Sequence, residues 1–483
     1  MILYFLYDTI GVACKGSEIV RTKEIDMCNG PLLGNVVRYT IPIILTSLLQ
    51  LMFNAADLIV VGYFCGSDCV GAVGATGSIT NLTVCLFVAL SNGVSVAVAN
   101  GIGAKDNDYV HKTVHTAMPI AIFGGVLLTV VGVVFCKTFL SWMDTPANII
   151  DLSAKYMAIY FCGMLPNIVF NFAAAILRAS GDSKSPFIYL TVAGVINAVL
   201  NVIFVTAFGM DVDGVAIATV VSQVVSTVLV IIKLIKRDDC CKFIPSKMKI
   251  YGKPLKKILA VGLPSGIQAG IFSMSNVIIQ ASVNSFDSSS IVAGNAAAAN
   301  LEGFIYASMN AFYTASINFV GQNVGAGKPE RIPKIMKSCA LAVTAVGVSM
   351  TVILRIFATQ FLSLYVKDDK EAIAIGILRL TIVCLPYFLC GIMDTITGVM
   401  RGMGSAIVQM FISLSCVIGI RIVWIFTVFK HFHTLEALYI SYPLSWFVCI
   451  VCQLIVYNIV YKRLMKRFNA ARFEYVERKS ERL

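Results

Sequence analysis

Residues 41–64 read IPIILTSLLQLMFNAADLIVVGYF, twenty-four positions that carry a single charge, Asp57. A run of about 20 apolar residues is long enough to cross the hydrocarbon core of a bilayer as a helix. Lipid leaves open backbone groups unsatisfied, so only helices or closed barrels span it. This run is too long and too continuously apolar for a barrel strand. Runs of the same kind recur as far as Val460, separated by short polar breaks. The whole chain of 483 residues is 58% hydrophobic and 13% charged, about half the charge of a soluble domain. The expectation is an all-α polytopic membrane protein with twelve spans, at 34–64, 73–102, 111–142, 148–178, 185–209, 213–236, 257–286, 292–322, 333–363, 371–401, 405–430 and 434–463.

The net charge of +12 is concentrated in two places. Nine Lys and Arg lie between Lys233 and Lys257, and eight between Lys462 and Arg482. These stretches follow the sixth and the last apolar runs, so an even number of crossings separates them. Basic loops stay in the cytoplasm, which places both termini there, in a multi-pass protein of the cytoplasmic membrane. The charge is then a topology signal in contact with membrane lipid, and nucleic acid is excluded as a partner. The loops that fall outside, such as CGSDCVG, DTPAN and NSFDSSS, carry no Arg. Most of the fifteen cysteines sit inside apolar runs, where they act as small hydrophobes. Cys65 and Cys69 flank an outer loop and read as thiols rather than a disulfide.

The organisation follows: an N-terminal cytoplasmic segment 1–33, an N-lobe 34–236, a basic linker 237–256, a C-lobe 257–463 and a basic tail 464–483. Residues 1–26 fit the pattern poorly, and Met27 is the alternative start. The linker divides the spans six and six, and the halves share landmarks. Pro42, Asn54, Gly103, Ala104 and Phe139-Leu140-Ser141 recur 222 residues later as Pro264, Asn276, Gly325, Ala326 and Phe361-Leu362-Ser363. Arg178 and Gly181 match Arg401 and Gly404 at a separation of 223. Halves with an even number of spans enter from the same side, so a pseudo-twofold axis along the membrane normal relates them.

Ionisable groups inside hydrocarbon are costly and mark function by default. Asp57 is the first candidate, for cation coupling. Asn197 and Asn201 share one face of span five, and Thr219 in span six adds a third neutral oxygen. The competing reading is a buried Asp that ties the lobe together. In the second half stand Glu302, Asp394, Arg379 and Arg421. They form a structural ion pair, or else a second cation site or a counter-charge for a cationic substrate. Phe53, Asn54, Asn276, Glu302, Tyr306 and Tyr313 are the candidate cavity residues, with aromatics suited to flat lipophilic cations. Pro42 and Pro264 are candidate hinges, and Pro166 and Pro386 kink spans four and ten. No GxxxxGK[ST] phosphate loop or catalytic constellation is present, which excludes an ATP-driven pump and an enzyme.

These residues resemble the multidrug and toxic compound extrusion (MATE) family, in its DinF-like branch, from about Gly30 to Arg463. The resemblance is carried by residues 41–64, NGIGAK, LRASGDSKSP, NAVLNVIF with DGVAIATVVSQ, and VGQNVGAGK. It implies two six-helix lobes in a V, a central cavity, and exchange of small organic cations for H⁺ or Na⁺, without a cofactor or any metal beyond Na⁺ at Asp57. Its first-lobe cation site falls on Asp57, Asn197, Asn201 and Thr219. Asn201 stands where the family pattern has a second acid, which tilts the expectation towards H⁺ or weak Na⁺ binding. The reading is therefore a monomeric cation-coupled antiporter that exports cationic or lipophilic molecules by alternating access. A lipid-linked oligosaccharide flippase is the nearest rival, and a channel or receptor the more distant one.

Overall fold

The computed structural model describes residues 24–65, 67–143, 145–366 and 369–480, and the chain is helical throughout with no strand among them. Residues 1–23, which carry most of the poorly fitting N-terminal segment, lie outside the described residues. In the first half the spanning helices are α1 (Leu32–Phe64), α2 (Ser67–Gly103), α3 (Asn107–Trp142), α4 (Ile150–Cys162 with Met164–Ala179), α5 (Lys184–Thr206) and α6 (Val212–Ile235). In the second they are α7 (Gly252–Asn284), α8 (Ser289–Gly325), α9 (Ile332–Ile356), α10 (Lys370–Cys384 with Phe388–Gly402), α11 (Ala406–Phe432) and α12 (Leu435–Ser480).

Eleven of these are long and apolar enough to cross a membrane, two of them as bent pairs. The exception is α8, which the hydropathy of its own sequence does not mark as a span. Its polar groups explain this. Asn295, Glu302, Asn318, Gln322 and Asn323 are all buried, so protein rather than lipid surrounds them.

The two bends fall in α4 and α10, at 43° and 44°. Each lies beside a proline, Pro166 and Pro386, whose missing N–H and bulky ring interrupt the helical ladder. By contrast α1 and α7 run unbroken through Pro42 and Pro264. Gly181 (φ +99°) and Gly404 (φ +85°) end α4 and α10 in the left-handed region, which glycine enters without steric cost.

The lobes interlock. Val36, Tyr39 and Ile43 of α1 pack into the apolar core of the second half, while Ile258 of α7 packs into that of the first. Along α2 and α7 the contact runs through small residues: a Cβ on Gly93 would stand 2.1 Å from the Ile258 carbonyl oxygen, and one on Gly262 would stand 2.5 Å from Leu90 Cδ1. Small residues let helix backbones approach closely where lipid supplies no driving force. At the end that carries the termini, α2 crosses α8. A Cβ on Gly103 would meet the Gln322 carbonyl oxygen at 1.9 Å, and one on Gly325 would meet that of Asn100 at 2.0 Å. The internal repeat had paired these two glycines, and the structure shows why: they sit face to face. Ser95 donates to Asn318 Oδ1 (2.8 Å), and Asn318 in turn donates to the Tyr39 hydroxyl (2.9 Å).

Segment 24–31 closes over this crossing. Asn323 donates to the Met27 carbonyl (2.9 Å) and Lys328 to Asn29 Oδ1 (2.8 Å), while Ile25 N–H reaches the Gly181 carbonyl (3.4 Å). Met27 itself is fully buried. The 237–256 linker is docked rather than free: Ile244 N–H donates to His115 Nε2 (3.1 Å) and Tyr251 N–H to Thr116 Oγ1 (3.1 Å). Within it burial pushes the Asp239 carboxyl up, but the Arg237 guanidinium outweighs this and holds it below the usual carboxylate range. The C-terminal tail continues α12 as helix to Ser480.

Gly103→Ala is expected to destabilise the α2–α8 crossing by about 1–3 kcal/mol, the cost of overpacking a close contact. Thermal unfolding of the purified protein in detergent measures this, and an unchanged midpoint would show that the crossing yields without strain.

Candidate functional site

Two polar clusters stand out against the apolar bundle. The first lies within the N-lobe, where α1, α5 and α6 meet. Asn201 donates through Nδ2 to Asp57 Oδ1 at 2.5 Å and to Asn197 Oδ1 at 3.3 Å. Asn197 donates to Thr219 Oγ1 at 3.3 Å. The i, i+4 spacing on α5 sets both amides on one face, and α1 and α6 bring the carboxylate and the hydroxyl to it. All four residues singled out from the sequence are therefore in one hydrogen-bonded group. Around it Val61, Tyr156, Val205, Val215 and Ala216 form an apolar cluster. Asn201 Oδ1 is buried and has no hydrogen-bond donor among the described residues. A buried acceptor left open is costly unless something fills it.

The second cluster lines a cavity of about 780 Å³ between the lobes. Asn276, Glu302, Tyr306 and Tyr313 face it, as do Asp394, Arg379 and Arg421. Two expected lining residues do not. Phe53 points across to α5, where its ring occupies the space a Cβ on Gly194 would need (1.8 Å). Asn54 is exposed, one turn beyond the lining stretch of α1 that ends at Gln50. The helical period turns Phe53 towards α5, together with Asp57 four residues on.

Arg379 holds Glu302 in a two-pronged ion pair, Nε to Oε1 and Nη2 to Oε2, both at 2.8 Å. Its third donor goes to Asn295 Oδ1 (2.5 Å), which also accepts from the Tyr439 hydroxyl (3.1 Å). Such forked pairs are the strongest an arginine makes with a carboxylate, and Glu302 is neutralised by it. Arg421 donates to Ser445 Oγ (3.2 Å) and lies 4.2 Å above the Tyr442 ring. Asp394 is in no ion pair among the described residues.

Arg178 and Arg401 also line the cavity, although hydropathy sets both at helix ends. Arg401 reaches the Tyr313 hydroxyl and Gln268 Oε1 (2.8 Å). The signal that could have found them was present: they are one of the repeated pairs. Tyr442 and Trp446 of α12 are further cavity residues that the sequence did not single out.

A bundle of spanning helices in two interlocked halves, with a half-buried carboxylate held among amides in one half and a cavity between the halves, defines a multi-pass membrane transporter. The chain belongs to the MatE family, whose model matches residues 42–203 and 264–427, so that the two copies begin at the repeated prolines. It is 27% identical over 435 residues to the probable multidrug resistance protein YoeA of Bacillus subtilis, covering 88% of this chain and 93% of that one. To the probable multidrug resistance protein NorM of Thermotoga maritima it is 24% identical over 404 residues, covering 82% and 86%. Its fold is that of an outward-facing multidrug resistance MATE family transporter of the MOP superfamily, with a TM-score of 0.85 at 21% identity, over 92% of this chain and 99% of that one. Members of this family are transporters, not enzymes.

The Arg379–Glu302 pair yields a stability test. Glu302→Ala leaves a buried guanidinium without its counter-charge and is expected to cost about 3–5 kcal/mol. Adding Arg379→Leu should restore much of that loss. Melting of the single and double variants in detergent reads it, and a double variant no more stable than the single would refute the pairing argument.

Proposed function

We propose that this protein is a cation-coupled antiporter that exports small organic molecules across the cytoplasmic membrane by alternating access. The observation that carries the reading is the Asp57 cluster, a carboxylate set among neutral oxygens with Asn201 Oδ1 left open. A carboxylate in this setting is neutralised by taking H⁺ or by holding Na⁺ with the oxygens of Asn197, Asn201 and Thr219. One carboxylate gives little charge to retain Na⁺, so the site suits H⁺ or a weakly held Na⁺. Neutralising Asp57 removes the charge that Asn201 now serves, and with it one of the contacts that hold α1 on α5, beside the packing of Phe53 on Gly194.

The two lobes supply what such a cycle needs. They meet through small residues, a short polar chain and the apolar contacts of α1 and α7, and the cavity lies on the same boundary. The basic linker and α12 extension fit a cytoplasmic side for both termini, and nothing in the site calls for a second copy of the chain.

Efflux tests the reading. Cells expressing the chain and its Asp57→Asn variant are loaded with ethidium or with carboxyfluorescein, with Na⁺ present or absent and with or without a protonophore. Gradient-dependent efflux of at least one dye is expected, falling on the order of tenfold or more in the variant, the weight of one charge-assisted interaction. Full efflux by the variant would move coupling away from Asp57, and the absence of gradient-driven efflux of either dye would overturn the proposal.

A further inference from the structure

The charges that line the cavity are unequal. Four guanidinium groups, those of Arg178, Arg379, Arg401 and Arg421, face it against two carboxylates, Glu302 and Asp394. Glu302 is already bound on both oxygens by Arg379. Asp394 makes no ion pair among the described residues. No carboxylate among the described residues lies within ion-pair distance of Arg178, Arg401 or Arg421. The cavity therefore carries positive charge that its own residues do not cancel, whichever arginine Asp394 is assigned to.

Two of these groups are built in. Arg401 is 5% exposed and Arg421 4%. Arg401 Nε is buried with no acceptor. Arg421 spends Nε on Ser445 and lies over Tyr442, and its Nη groups have no protein acceptor among the described residues. Stacking on a ring holds a guanidinium flat and leaves its forked edge to meet a carboxylate or phosphate. The backbone also departs from regularity here. Next to Arg379, α10 turns π-helical over Leu380–Cys384, and next to Arg421, α11 does so over Leu414–Gly419. Wide turns of this kind re-aim side chains and gather at functional sites. Burying a guanidinium without a counter-ion costs several kcal/mol, and in a transporter cavity the counter-ion can be the cargo.

We infer that the cargo of this protein is an organic anion, an aromatic body bearing a phosphoryl or carboxylate group that docks on the free edge of Arg421. Tyr306, Tyr387, Tyr442 and Trp446 offer ring faces for the body, and Arg421 with its neighbours takes the charge. This replaces the cationic cargo expected from the sequence, because the carboxylate that would have received a cation, Glu302, is occupied by Arg379. The inference rests on the export reading, but it is tested by binding alone, so that its failure and a failure of export are told apart.

The test compares two probes with the same ring and opposite charge, 1-naphthyl phosphate and 1-naphthylmethylammonium, by calorimetric titration of the purified full chain in neutral detergent. The phosphate is expected to bind at least about tenfold more tightly, the weight of one hydrogen bond to a charged group. Arg421→Gln should weaken the phosphate by a similar factor and leave the ammonium unchanged. Should that variant not fold, Arg421→Lys keeps the charge and loses the fork, and is expected to lower the phosphate preference alone. Competition by inorganic phosphate would identify a small dissolved anion as the cargo, and competition by phosphatidylglycerol alone would identify a lipid headgroup; both support an anion site. A wild-type preference for the ammonium, or a preference unchanged in both variants, would overturn it.

Discussion

The backbones of α2 and α8 meet at Gly103 and Gly325, and the space between the lobes is built outward from that crossing. Each glycine lies against a carbonyl oxygen of the opposite helix, closer than any side chain allows. From there the helices diverge, and polar groups occupy the widening gap. Ser95, Asn318 and Tyr39 are linked first, then the arginines and the cavity. A crossing this tight sets the angle between the lobes.

A second constraint acts with it. Hydrocarbon does not solvate charge, so each charged group within the span must find a partner in protein or cavity. Asp57 finds amides and a hydroxyl inside one lobe. Glu302 and Arg379 find each other. Arg401 and Arg421 find only neutral partners, a phenol, an amide, a hydroxyl and a ring. These are three different solutions: a carboxylate among neutral groups, a mutual ion pair, and guanidinium groups whose hydrogen-bond and ring partners are all neutral. The first lies inside the first half, and the other two lie inside the second, where they face the cavity.

The interlocking of α1 and α7 bears on both. Each opens its own half in sequence, yet the terminal end of each packs into the core of the other half. Asp57 lies farther along α1, past Pro42, where the helix has returned to its own lobe. Asp57 thus sits on a helix that is anchored across the boundary, although it does not itself line the cavity.

Much of this was legible in the residues. Apolar runs long enough to span, basic breaks between them and landmarks repeated at one separation were sufficient for a helical bundle of two related halves, because the bilayer imposes a length and a polarity on every element. The four residues of the Asp57 site were legible too, since carboxylate, amides at i, i+4 and a hydroxyl stand out against apolar sequence. Hydropathy could not see that α8 is buried in protein, that Phe53 turns from the cavity towards α5, or that Arg178 and Arg401, placed by it at helix ends, line the cavity. Nor could it tell which acid neutralises which arginine. Those answers depend on the rotation and crossing of helices far apart in the chain, which side-chain packing decides and periodicity along one helix does not encode.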